Sequence, residues 1–313
     1  MPTLDQHQSN DLTKMIVLGD PGSGKTGGLA SLVKANYWLG ILDYDNGLDP
    51  LVQYVRRECP DKIGNVQYRT LRDKYKAGPD GPMIDGLAHA FSDGLKMLDR
   101  WKFKNEDGTE EDYGHPAMWG PKKIFVMDSL TMVSKACFDW REQMVSGKAG
   151  KYDQRAVYYD AQKIIEKTIA NLTSESFNTN VIVLAHVHYV EDEDGTRRGY
   201  PKSVGSALSS WIASYFNSMA LCQTTPSGKR VVKTTPTPMV TLKNPKPFDM
   251  MKEYPIETGF AEFFEVLRNQ PKEVKDEHTR GETSKSIVQP GRQSISQRNQ
   301  PTISGTNRPM RRA

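Results

Sequence analysis

The stretch "MIVLGDPGSGKT", residues 15–26, decides how the rest of the chain is read. A short apolar run reaches Gly19, and Gly19-x-x-x-x-Gly24-Lys25-Thr26 follows. Such a run, with no polar alternation, predicts a strand buried on both faces. The glycines let the backbone curl so that its N–H groups converge on phosphate oxygens, at the start of a helix. In this pattern Gly19, Asp20, Pro21, Gly22, Ser23, Gly24, Lys25, Thr26 and Gly27 form a nucleotide cradle. Lys25 is expected on the β/γ-phosphates and the Thr26 hydroxyl on Mg²⁺. A chance match on a glycine-rich turn would lack the strand before and the helical pattern after.

A phosphate loop of this kind needs a second acid for the metal. "KKIFVMDSL" (122–130) supplies Asp128 at the end of an apolar run. The next residue is Ser129, which cannot act as the base for an attacking water, so a carboxylate is sought on another strand. "WLGILDYDNGLDPL" (38–51) ends its apolar run in Asp43-Tyr44-Asp45. Side chains alternate along a strand, which predicts Asp43 and Asp45 on one face. Asp45 is the expected water-positioning group and Asp43 the next candidate. The plainer reading is that these acids begin a turn and cap a helix near Asp49-Pro50.

Apolar runs at 15–18, 39–42, 124–127 and 181–185, with a weaker one at 66–71, predict the core strands. Helical spacing is predicted over 25–37, 83–101 and 153–172, the last placing Val157, Ala161, Ile164, Ile165, Thr168 and Leu172 on one face. Strand–helix alternation implies a parallel α/β sheet. After Ser218, "SMALC", "RVVKT" and "MVTLK" predict an antiparallel edge, while 102–120 is a polar surface excursion. The 313 residues carry a net charge of +4. From Pro271 to Ala313 there are nine Lys/Arg against four Asp/Glu, and no aromatic residue. That segment is predicted disordered, serving as a solubilising tail or as a weak nucleic-acid or partner tether. The expected divisions are an arm over 1–13, a core over 14–267 and a basic tail over 268–313. The N-terminus shows no secretory signal, no run spans a bilayer, and Cys59, Cys137 and Cys222 form no paired motif. A cytoplasmic protein is expected.

These motifs resemble the RecA family. Asp43-Tyr44-Asp45-Asn46-Gly47-Leu48-Asp49-Pro50 stands where the family has Asp-Ala-Glu-His-Ala-Leu-Asp-Pro, so the resemblance puts Asp45 at the catalytic Glu and Asp49 beside the adenine. "VMDSL" is similar to the family's metal-binding strand. "VIVLAHVH" is similar to its next core strand, whose terminal polar residue senses the γ-phosphate; His186 holds that place. "VGSAL" resembles the close of the second DNA-binding loop, which then contains Arg197, Arg198, Tyr200 and Lys202. The alternative there is a solvated hairpin tip. "VTLKNPKPF" resembles a Lys-Asn-Lys segment that reaches a neighbour's ATP. Lys243 matches its first lysine, and Lys246 matches the second only with a one-residue shift. "KAGKYDQRAVYYDAQKII" is similar to the phage branch, and Lys148, Lys151 and Arg155 would form a first DNA loop. The resemblance covers 15–264, poorly over 60–123.

It implies an α/β RecA-like P-loop NTPase, a mainly parallel twisted sheet flanked by helices with an antiparallel C-terminal edge. The implied activity is a DNA-stimulated, weak ATPase of the phage RecA-core (Sak-type) class, using ATP and Mg²⁺ and binding single-stranded DNA in recombination, annealing or replication. Expected partners are further copies in a ring or filament and a single-strand-binding protein, with no membrane. Two rivals stay open: a hexameric helicase or packaging motor, and a non-hydrolysing nucleotide-gated scaffold or loader.

Overall fold

The computed structural model describes residues 3, 6–7, 11–105, 107–146, 153–191 and 195–268. Its strands are β1 (Lys14–Leu18), β2 (Trp38–Asp43), β3 (Val66–Thr70), β4 (Tyr75–Gly78), β5 (Gly81–Ile84), β6 (Lys102–Lys104), β7 (Glu110–Asp112), β8 (Gly120–Asp128), β9 (Thr179–Ala185), β10 (Val187–Glu191), β11 (Arg197–Pro201), β12 (Ser218–Thr224), β13 (Arg230–Lys233) and β14 (Glu253–Pro255). Its helices are α1 (Lys25–Gly28), α2 (Ala30–Lys34), α3 (Asp49–Glu58), α4 (Ala90–Asp99), α5 (Leu130–Ser146), α6 (Gln154–Thr173), α7 (Ser206–Trp211) and α8 (Gly259–Arg268).

Eight strands form one sheet in the order β14-β13-β12-β1-β9-β8-β2-β3. From β12 to β3 all neighbours are parallel, and β13 and β14 add antiparallel pairs at the edge. The apolar runs carry no alternation because each strand feeds two cores. Ile16, Leu18, Phe125, Met127, Val181 and Val183 pack with α4, α5 and α6 on one face. Met15, Val17, Ile124, Val126, Ile182 and Leu184 pack with α2, α3 and α8 on the other. Burying one such side chain is worth about 1.5–3 kcal/mol, so both faces drive folding. With the phosphate-loop strand β1 and the acid-bearing strand β8 separated by β9, this is the RecA-like P-loop NTPase fold.

Several elements differ from the sequence reading. The helix expected over 83–101 is confined to α4; Met83 instead lies in β5, paired with β4. The stretch Asp85-Gly86 breaks the pattern, with Gly86 at φ 83. Leu87 is 79% exposed, so its helical spacing was not a buried face. The Asp73 carboxylate accepts from the N–H groups of His89 and Ala90 at 2.7 and 3.0 Å, which fixes where α4 starts. The helix expected over 25–37 ends at Lys34, with Asn36 at φ 66 turning the chain into β2. "SMALC" belongs to β12, parallel to β1, so the antiparallel edge begins one strand later. "MVTLK" is not a strand: Lys243 makes an isolated bridge to Met219, and β14 supplies the last edge strand. The 17-residue α5 was not anticipated, because its buried Leu130, Val133, Ala136 and Cys137 are diluted by polar neighbours. The excursion over 102–120 is a short hairpin, β6–β7, but its flanks are not surface. Trp101 is fully buried, and the Trp119 ring sits edge-on to Trp38 at 4.8 Å.

Helix α6 matches its predicted face closely, with Val157, Ala161, Ile165, Thr168, Ile169 and Leu172 buried and Asp153 capping its start. The three cysteines are free and buried. No helix among the described residues is long and apolar enough to cross a membrane. The basic tail beyond Arg268 lies outside the described residues, as do Lys148 and Lys151.

Candidate functional site

The phosphate loop leaves β1 at Leu18 and enters α1 at Lys25. Two glycines are required by what surrounds them. Gly24 has φ 96, and a Cβ there would meet Arg230 Cδ and Ile256 Cγ1 at 3.0 Å. A Cβ at Gly27 would lie 2.9 Å from the Tyr54 ring. Leu29 keeps helical dihedrals, so α1 and α2 continue one another. The Lys25 ammonium folds back onto the loop, donating to the carbonyls of Gly19 at 2.7 Å and Asp20 at 3.1 Å. It is 6% exposed. Burial pulls its pKa below the usual lysine value, while Asp128 and Asp45 act in the other direction.

Asp128 ends β8 directly beside the loop. Its Oδ2 accepts from the Thr26 hydroxyl at 2.7 Å. Its Oδ1 is buried and has no hydrogen-bond partner among the described residues. Burial, helped by Asp45 and Asp43, raises its pKa to about 7, against the bond from Thr26 and the charge of Lys25. A half-satisfied buried carboxylate bonded to a hydroxyl is a hard-oxygen pair that fits Mg²⁺, which binds through one or two carboxylates and keeps the rest of its shell for phosphate and water. No cluster of three or more His, Cys, Asp or Glu residues suited to a metal occurs among the described residues.

Asp43 and Asp45 do not share a face. β2 stops at Asp43, and Asn46 adopts φ 54, so strand alternation no longer governs Asp45. Asp43 is 1% exposed and turned toward β3, accepting from Thr70 Oγ1 at 3.0 Å and Gly47 N at 3.3 Å. Burial raises its pKa. It is a structural acid that ties β2 to β3 and closes the turn, and it does not line the cleft. Asp45 turns the other way. Ser129 Oγ donates to its Oδ1 at 2.8 Å, and His186 Nε2 stands 3.9 Å from its Oδ2, beyond hydrogen-bond reach. Burial lowers the His186 pKa, with Lys25 adding to the effect, so the imidazole is neutral near pH 7.

Pro21, Gly22, Gly24, Lys25, Thr26, Gly27, Asp45 and His186 thus line one cleft of about 340 Å³. Gly47, Pro50, Tyr54 and Arg230 complete its wall. Asp49, expected beside adenine, is exposed in the first turn of α3 and does not line the cleft; Pro50 and Tyr54 take that side. Tyr54 was legible only as an i, i+4 neighbour of Pro50 on the helix; Arg230 gave no sequence signal. A larger hollow of about 550 Å³ lies behind the loop, walled by Asp20, Ser23, Tyr189 and Lys233. The smaller cleft is the chemically competent one, because Lys25, Thr26 and Asp45 line it together, with Asp128 buried directly behind the Thr26 hydroxyl.

Lys243 does not stand free to reach a neighbour. Its ammonium donates to the carbonyls of Ala213, Ser214 and Phe216 at 2.9–3.2 Å, closing the 3₁₀ turn after α7. Lys246 donates to Val266 O at 3.1 Å. The other expected DNA residues are scattered. β10 and β11 form a hairpin in which Glu191 faces Arg197 and Val190 faces Arg198. The pleat therefore sends Arg197 to one face of the ribbon and Arg198 with Tyr200 to the other. Arg197 lies over the Tyr189 ring at 4.5 Å. Arg198 and Tyr200 line a separate groove with Trp211. Lys202 is exposed and its N–H donates to His186 O at 2.8 Å. Arg155 is exposed in the first turn of α6, its N–H bonded to Asp153.

No match was found among curated proteins. Among solved structures, the crystal structure of the RadB recombinase is similar over 79% of this chain and 90% of that one, at 17% identity and a TM-score of 0.42. A family model described as AAA domain matches residues 12–245, from the start of β1 past the edge strand β13 and across the whole cleft, and the chain belongs to that family of P-loop nucleotide-binding proteins.

Proposed function

We propose that the protein is an ATPase that hydrolyses ATP to ADP and phosphate and couples this to single-stranded DNA in recombination, annealing or replication, as phage RecA-core proteins do. The observation that carries the proposal is the convergence of Lys25, Thr26 and Asp45 on one cleft, with Asp128 bonded to Thr26 just behind its wall. The loop N–H groups and Lys25 hold the polyphosphate, which draws the lysine away from the Gly19 and Asp20 carbonyls. Thr26 and Asp128 are the residues that would hold Mg²⁺, which when bound neutralises charge on the β- and γ-phosphates. Asp45, fixed by Ser129, orients a water and accepts its proton as the water oxygen bonds to the γ-phosphorus and the bond to the β-phosphate oxygen breaks. His186, neutral beside Asp45, links this event to the hairpin β10–β11, which starts at the next residue.

Arg197, Arg198, Tyr200, Lys202 and Arg155 are the proposed DNA contacts. Cations next to rings suit a single strand, charge meeting phosphate and ring meeting base. Their division over two faces of the ribbon supports a strand that wraps the hairpin rather than one lying across a single patch. A ring or filament of copies is the proposed assembly. The shorter reach of Asp45 compared with a glutamate, and the engagement of Lys243 within its own chain, favour one alternative: a nucleotide-gated scaffold without turnover. The deciding experiment is ATP turnover with and without single-stranded DNA, with electron microscopy of the same samples. DNA-stimulated phosphate release from ordered assemblies is expected. Tight ATP binding without turnover under any DNA condition selects the scaffold.

A further inference from the structure

Arg230 opens β13, and its backbone is held on both sides. It pairs with Thr224 of β12, and its carbonyl accepts from Ile256 N at 3.1 Å. From that fixed root the side chain crosses the crest of the phosphate loop, where its Cδ occupies the space a Cβ on Gly24 would enter. Arg230 lines the nucleotide cleft with Lys25, Thr26, Asp45 and Tyr54. Its guanidinium makes no ion pair or hydrogen bond with the described residues. Lys233, on the same short strand, is by contrast paired with Glu253 at 3.7 Å. The strand therefore carries one cation engaged by the protein and one directed to the cleft.

We propose that Arg230 is a second polyphosphate-binding cation, supplied by the same chain across the top of the loop. The inference rests on the nucleotide reading of the cleft and adds to it a residue that the loop motif does not contain. The cleft has a charge problem that Arg230 addresses. Lys25 is the only cation of the loop, while Asp45 lines the cleft and Asp128 stands just behind Thr26, and both acids act electrostatically on Lys25. A divalent ion held by Asp128 loses part of its charge to that carboxylate. The guanidinium fork matches phosphate oxygens in a bidentate way and stays charged at any working pH. Rooting the residue on a paired edge strand, rather than on a free loop, limits the freedom lost when the contact forms.

The test is a titration of the full chain with a fluorescent ATP analogue in Mg²⁺, using the parent, Arg230→Ala, Arg230→Lys and Lys25→Ala. Inorganic triphosphate serves as a competitor in a second series. Arg230→Ala is expected to weaken ATP and triphosphate alike by about tenfold, with a melting midpoint equal to the parent's. Arg230→Lys should lose about threefold, since it keeps the charge without the fork. Parent-like affinity in Arg230→Ala beside loss in Lys25→Ala overturns the proposal and leaves the cleft assignment standing. A loss for ATP with none for triphosphate also overturns it, assigning Arg230 to base or ribose. Absence of binding by the parent overturns both readings together.

Discussion

The carboxyl ends of β1, β2 and β8 and the hairpin β10–β11 both gather charged residues, but in opposite ways. In the first region the charges are buried or half-buried and each is held by a neutral partner: Thr26 bonds Asp128, Ser129 bonds Asp45, and Lys25 bonds its own loop. In the second they are exposed, and the pleat divides them over two faces. Burying a charge costs free energy unless a partner or ligand compensates, so the buried group is committed to one geometry. An exposed group keeps its water and is held less tightly, as Arg197 is against the Tyr189 ring. The cleft can therefore be read residue by residue, and the hairpin only as a whole.

The strongest challenge to this contrast is Lys25→Ala. Removing the one loop cation should weaken ATP binding by about a thousandfold with the fold retained, because charge-assisted contacts to two phosphates are lost together. Equilibrium titration measures it, and parent-like affinity would remove the cleft from consideration. Asp45→Asn comes next. It should keep ATP affinity and lower turnover by about a hundredfold or more, the scale of a lost general base. Asp45→Glu should retain activity, since it keeps the carboxylate with a longer reach. Phosphate release under saturating ATP is the readout; unchanged turnover in the amide variant would mean that Asp45 only supports Ser129.

The hairpin is expected to respond more weakly and collectively. Replacing Arg197, Arg198 and Lys202 by Ala should reduce the log–log salt slope of single-stranded DNA binding by roughly two units, from about −0.7 per neutralised phosphate. Anisotropy titrations at several salt concentrations give the slope, and an unchanged value would mean that DNA binds elsewhere. The smallest effect is on stability. The folded pKa of Asp128 is raised to about 7, so the folded chain binds this proton more tightly than the unfolded chain does. Its contribution is favourable below the unfolded carboxylate range and is lost as pH rises through about 7. Asp128→Asn should thus raise the metal-free melting temperature at pH 8 by a few degrees, equivalent to roughly 2 kcal/mol, with a smaller rise at pH 5 and none at about pH 3. The same substitution should weaken Mg²⁺-dependent nucleotide binding. A lower melting temperature at pH 8 would show that the carboxylate is held by more than Thr26.

Motifs whose chemistry depends on neighbours along the chain were legible directly. The order of glycines, Lys25 and Thr26 dictates the loop, and the unalternating runs dictate strands with a core on each side. The place of Asp128, at a strand end beside Thr26, followed from the apolar run before it. Asp45 was separable from Asp43 only in three dimensions, because the strand ends between them and one side chain turns to β3 while the other turns to Ser129. Tertiary packing alone decided that Lys243 caps a turn, that Asp49 faces water while Tyr54 lines the cleft, and that Arg230 arrives at the loop from more than two hundred residues away. The physical reason is common to all of these. A backbone motif is fixed by local dihedral preferences and spacing, whereas the role of a long charged side chain is fixed by what the sheet order brings within reach of its tip.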